Sequence, residues 1–141
     1  MSKRFNWLGG LLLVLAVGCG TVQPGADPII VNAERLQTSA KASFELVLKL
    51  DHSNRAFWQQ NAPAFHTFCE TLRKPTPYPG RTALPQYRVW LLKLDDAKLA
   101  YKEGRTDGQP LANAINLIET AVTQANAWSI IVQQAANPNT P

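Results

Sequence analysis

In residues 111–132 apolar side chains return every three or four positions: Leu111, Ala114, Ile115, Ile118, Ala121, Val122, Ala125, Trp128, Ile131 and Val132. That near-heptad spacing lines one side of a helix and is incompatible with a strand, whose sides alternate every second residue. The helix is expected to start near Pro110 and run to about Ala136, before Asn137-Pro138. Glu119 is its one charge, and Asn, Gln, Thr and Ser make up the polar side. Such a side costs less to strip of water than a charged one, which suits a central helix or one that receives a partner protein.

The same period recurs upstream. Ile29, Ala33, Leu36, Ala40, Phe44, Val47 and Leu48 form a stripe, with Glu34, Arg35, Gln37, Lys41 and Lys49 between them. Asp27-Pro28 suits the start of this helix. The Asp carboxylate accepts from the first free amides, and Pro lacks the amide that would go unbonded there. The helix is predicted to reach about Trp58, with a weak point at Asp51-His52-Ser53-Asn54, and Pro63 then kinks or ends it. Phe65, Phe68, Cys69 and Leu72 carry the stripe on to Arg73-Lys74-Pro75. Residues 75–85 hold four prolines and Gly80, which predicts an extended loop. Tyr87, Trp90, Leu91, Leu94, Ala97 and Tyr101 define another helix, with Gly104 as its C-terminal cap. The short turn at 105–109 favours an antiparallel neighbour. No alternating strand pattern is apparent. The fold class expected is all-α: a small antiparallel bundle of three long helices, one of them broken near Pro63, around a single core.

The first residues have another character. Lys3 and Arg4 precede an apolar run over residues 7–17 and then Gly18-Cys19. A charged start, a short apolar segment and small residues before a cut site define an export signal. The run falls short of the roughly 20 residues that span a bilayer. Leu15-Ala16-Val17-Gly18-Cys19 resembles the lipobox of bacterial lipoproteins, with Gly18 as the small residue before the cysteine. Ala16 departs from the Leu most common three residues before it. The resemblance implies cleavage before Cys19 and lipidation of that residue, with a lipoprotein of this type carrying three palmitate-like acyl chains. With Gly20 rather than Asp after the cysteine, it further implies an outer-membrane address, facing the periplasm, in a host that has one. Each buried methylene contributes about 0.8 kcal/mol, so several chains anchor firmly. Ala16-Val17-Gly18 also resembles an ordinary signal-peptidase site, which leaves a soluble secreted protein as the alternative. The organisation expected is a signal peptide at 1–18, lipidated Cys19 with a flexible tether at 19–27, a helical domain at 28–137 and a frayed tail at 138–141. With Cys19 lipidated, Cys69 is a lone thiol best kept buried; with Cys19 bare, a Cys19–Cys69 disulfide stays open.

The formal charge of +4 falls to about +2 once Lys3 and Arg4 leave with the signal, too little to imply nucleic acid. His66, Cys69 and Glu70 share a helical face at spacings of three and four. They read either as half of a zinc site or activated thiol, or as a core thiol flanked by Phe65 and Phe68; the core thiol is favoured. Asp95 and Asp96 point in different directions on a helix and are expected to pair with Lys98 and Lys93. Between Glu70 and Asp95 there is no acid. Arg73, Lys74, Tyr78, Arg81, Tyr87 and Arg88 there are expected to contact an anionic partner: lipid headgroups, cell-wall polymer or an acidic protein surface. No metal, cofactor or catalytic residue is expected. The functional expectation is a non-enzymatic envelope lipoprotein acting by contact in an accessory or assembly role. A phage- or prophage-encoded lipoprotein of lysis or superinfection exclusion has the same outline, and a metal or thiol protein centred on His66 and Cys69 is the competing class.

Overall fold

Asp27 opens the first helix as its chemistry requires: Oδ1 accepts from the amide of Ile29 at 3.0 Å, and Pro28 takes the first helical position. The structure, a computed structural model, describes residues 25–136. The expected signal peptide, the lipidated Cys19 and the tail at 138–141 lie outside the described residues. In chain order the elements are α1 (Pro28–Ser53), α2 (Arg55–Asn61), α3 (Pro63–Arg73), β1 (Pro75–Tyr78), β2 (Arg81–Pro85), α4 (Gln86–Lys102) and α5 (Gln109–Ala136). The described chain is therefore mostly helical, with one short hairpin. None of its helices is long and apolar enough to cross a membrane.

The three longest helices pack on one another. Polar pairs across α1 and α5 advance together along both helices, Asn32 with Glu119 and Ser43 with Asn126. Pairs across α1 and α4 run in opposite senses: Asp27 with Tyr101, Glu34 with Lys102, and Phe44 against Trp90. Helix α4 thus returns along α1, and α5 turns back again after Gly104, whose φ of 67° suits a residue without a Cβ. The core is the stripe anticipated on α1 (Ala33, Leu36, Ala40, Phe44, Val47) against Leu91 and Leu94 of α4 and Leu111, Ile115, Ile118 and Ala125 of α5. Phe65, Cys69 and Leu72 of α3, all fully buried, extend it toward the end of α1.

Three expectations need correction. The helix expected to reach about Trp58 already ends at Asn54, within the weak point 51–54, and the chain breaks again at Ala62 before Pro63; both residues have φ near −150°. Trp58 explains the first break, because its indole Nε1 donates to Leu50 O at 3.0 Å and folds α2 back against the end of α1. Residues 75–85 form an antiparallel hairpin instead of a loop, pairing Pro75 with Pro85, Thr76 with Leu84 and Tyr78 with Arg81. Prolines are tolerated because in two strands every strand is an edge, and a missing amide matters only on the paired side. Gly80 makes the turn with φ 71°. In the last turns of α5 the seam shifts, so that Ser129 faces inward while Ile131 is 51% exposed. Ser129 is accommodated because its hydroxyl donates to Asn126 O at 2.8 Å.

Candidate functional site

At the end of α1 a carboxylate is entirely buried. Asp51 has no exposure, which is tolerable only if its charge is matched. Arg73, in the last turn of α3, places Nη1 2.5 Å from Asp51 Oδ2 and Nη2 3.0 Å from Leu48 O. His66 Nδ1 lies 2.8 Å from the other oxygen, Oδ1. Gln59 of α2 donates to His66 Nε2 at 3.2 Å, so Nδ1 carries the imidazole proton and gives it to Asp51. Glu70 completes the set: its Oε1 accepts from Arg73 at 2.9 Å and from Arg55 at 2.7 Å. Burial alone would ease the proton off Arg73, but hydrogen bonds to Asp51 and Glu70 outweigh it and push its pKa up. Helices α1, α2 and α3 are thereby fastened through one charged cluster, and no buried side-chain polar atom among the described residues lacks a partner.

Spacing brought His66, Cys69 and Glu70 to one face, and the structure separates them by role. His66 and Glu70 converge on Asp51. Cys69 turns into the core, with Sγ 3.6 Å from Val47 O. Burial, with the charge of Asp51 adding to it, pushes its thiol up to about 12, the reverse of an activated thiolate. One donor atom each from Asp51, His66 and Glu70 lies within 4.8 Å of the others. The guanidiniums of Arg73 and Arg55 already bond these carboxylates, and a divalent cation would have to displace both. The donor set does not fit a resident metal.

The basic run 73–88 divides in two. Arg73 belongs to the buried cluster, while Lys74 is exposed and its carbonyl extends the hairpin ladder by accepting from Gln86 N at 2.9 Å. The Tyr78 hydroxyl donates to Asp96, tying the hairpin to α4. Asp96 thus pairs with Tyr78 rather than with Lys93, whereas Asp95 takes Lys98 at 2.9 Å as expected. Arg81, Tyr87 and Arg88 come together: with Lys41, Leu84, Leu91 and Leu92 they line a recess of ≈ 340 Å³ between the hairpin, α4 and α1. Tyr87 is only 6% exposed and stands edge-on to Phe44. Its hydroxyl accepts from Arg88 Nε at 3.1 Å, which fixes the root of that side chain. Arg81 and Arg88 bond no carboxylate among the described residues. Lys41 meets Glu45 only at 4.0 Å, between exposed side chains. Lys41 and Asp51 escaped sequence reasoning, because nothing local marks a lysine or an aspartate on α1 as facing a partner tens of residues away.

A second recess, of ≈ 500 Å³, runs between α3 and α5 and has a wholly uncharged lining that includes Phe68, Thr71, Trp90, Leu117 and Thr120. Comparison of the chain with protein-family models, with curated proteins and with solved structures gives no match.

Proposed function

We propose that this chain is a membrane-anchored envelope lipoprotein whose helical domain works by contact, in an accessory or assembly role, and not by catalysis. The observation that carries the contact reading is the pairing of Arg81 and Arg88 around one recess, with hydrogen-bonding capacity that no carboxylate of the described residues takes up. Residues that elsewhere support chemistry have other work. His66, Glu70 and Arg73 fasten three helices around Asp51, and Cys69 is a protonated core thiol. The anchor rests on the lipobox-like residues 15–19 and on the export signal before them. In this reading residues 28–137 form a small bundle framed by three long helices and held near the bilayer by the short tether before Asp27.

The anchor is tested by feeding cells a fatty-acid analogue and following label on the chain. Incorporation that disappears in Cys19→Ser supports it; label that persists in that variant, or a bare Cys19 on a secreted product, contradicts it. The contact role is tested by cross-linking in cells through Arg81 and Arg88. A discrete adduct lost in Arg81→Gln/Arg88→Gln supports it, and an adduct pattern indifferent to those substitutions contradicts it.

A further inference from the structure

We infer that the recess between the hairpin and α4 seats the phosphate of an anionic phospholipid headgroup and so orients the domain on the bilayer. The inference deepens the reading above and rests on its placement of the chain at a membrane. Its argument is charge complementarity joined to an apolar floor. Of its lining, Arg81, Arg88 and Lys41 are exposed, whereas Leu84 and Leu92 are half-buried and Leu91 is buried. A guanidinium offers donors in a fixed fork that matches phosphate oxygens, and two of them suit a phosphodiester better than scattered lysines do. Arg88 is held in place at its root by the Tyr87 hydroxyl, and Tyr87 is packed against Phe44, so one of the two forks is positioned before any ligand arrives.

The acids near the recess leave it open. Glu45 faces Lys41 at 4.0 Å and acts on Arg88 only through space. Asp96 is taken by the Tyr78 hydroxyl. Beneath the cations the leucines offer an apolar surface to the glycerol and first methylenes, a region that an acidic peptide or a bare polymer phosphate would leave unfilled. Reach agrees with this placement. Between Cys19 and Asp27 the chain extends at most about 28 Å. Lys41 lies about 20 Å along α1 from Pro28. A bilayer holding acyl chains at residue 19 is therefore within range of the recess when the domain lies on its side.

The test uses the chain from residue 19 onward with Cys19→Ser, which keeps every buried core residue from Ala33 to Val132 and carries no acyl chain. Its partition onto phosphatidylcholine vesicles is compared with and without phosphatidylglycerol. The inference expects binding only with the anionic lipid, weakening by about fivefold for each cation removed and so by roughly 25-fold in Arg81→Gln/Arg88→Gln. Arg81→Lys/Arg88→Lys should recover part of the loss, and Lys102→Gln, at the far end of α4, should change little. Equal binding to neutral vesicles would overturn it. So would an Arg81→Gln/Arg88→Gln chain that binds as tightly as its parent, or a loss in Lys102→Gln as large as in that pair. Inorganic phosphate that perturbs Tyr87 fluorescence or NMR signals in a chain indifferent to vesicles would assign the recess to a small free anion and also overturn it. Fatty-acid labelling at Cys19 is read separately in cells, so a failed recess and a failed anchor give different results.

Discussion

Two arginine-bearing regions only a few residues apart in sequence have opposite fates. Arg73 ends α3 with its guanidinium clasped by Asp51, Glu70 and a backbone carbonyl. Arg81 and Arg88, just across the hairpin, bond no carboxylate among the described residues and share a recess. The same residue type is a structural fastener in one place and stands without a carboxylate partner among the described residues in the other. What separates them is burial of the partner. Asp51 has lost all its water and must be matched, whereas no buried carboxylate calls on Arg81 or Arg88. A run of basic residues thus reports neither function nor its absence until the acids facing it are known.

The largest effect should come from breaking the buried side. Asp51→Ala strands Arg73 and His66 beside an empty space, with an expected loss of about 3–5 kcal/mol in a denaturant melt. Asp51→Ala/Arg73→Leu should regain much of it, because an apolar pair leaves no unmatched charge. A single variant as stable as the parent would remove the distinction between the two regions.

Next in size is the response to alkali. An exposed thiol loses its proton near pH 9, while burial holds Cys69 up to about 12. The folded state keeps a proton that the unfolded chain releases, so stability is complete below pH 9 and falls as pH rises from about 9 to about 12. Tyr78 and Tyr101 shift the same way, through hydrogen bonds to Asp96 and Asp27 first, and add to the slope. Cys69→Ala should flatten the decline relative to its own neutral-pH stability. A slope unchanged in that variant would show that the thiol is not held protonated. At neutral pH, Cys69 should also resist alkylation until the chain unfolds.

A smaller effect, on the metal reading, should be none at all. Chelator treatment should leave the melting temperature unmoved, because Arg73 and Arg55 already neutralise the donor set. A drop on chelation, with stoichiometric metal in the untreated chain, would recast the buried cluster as a metal centre. Smallest of all is Tyr78→Phe, which unties the hairpin from Asp96. Global stability should hardly change, but amide exchange within β1 and β2 should quicken while α1 stays protected. Equal exchange in both chains would show that the recess wall does not depend on that bond.

The fold's helices were legible because their signals are local. The stripe from Ala33 to Val47, the Asp27 cap, the interruption before Pro63 and the stop at Gly104 all appear where residue chemistry puts them. The hairpin was not legible, since four prolines argue against strands unless both strands are known to be edges. The first helix break falls at the weak point 51–54, but its cause, Trp58 folding back onto Leu50 O, is a contact that periodicity does not report. In the candidate site the acid-free stretch groups Arg73 with Arg81, Tyr87 and Arg88, whereas the structure gathers the last three around one recess. Arg73 goes instead to Asp51, which lies 22 residues earlier on another helix and so leaves no local signal. Convergence of His66 and Glu70 was visible in their spacing; the carboxylate on which they converge was not.

The division of the arginines is tested most directly by timed modification of the native chain with phenylglyoxal, mapped residue by residue by mass spectrometry. Arg81 and Arg88 should react fast and Arg73 slowly, with the three rates merging once the chain is unfolded. Arg73 reacting as fast as Arg81 in the native state would contradict the account.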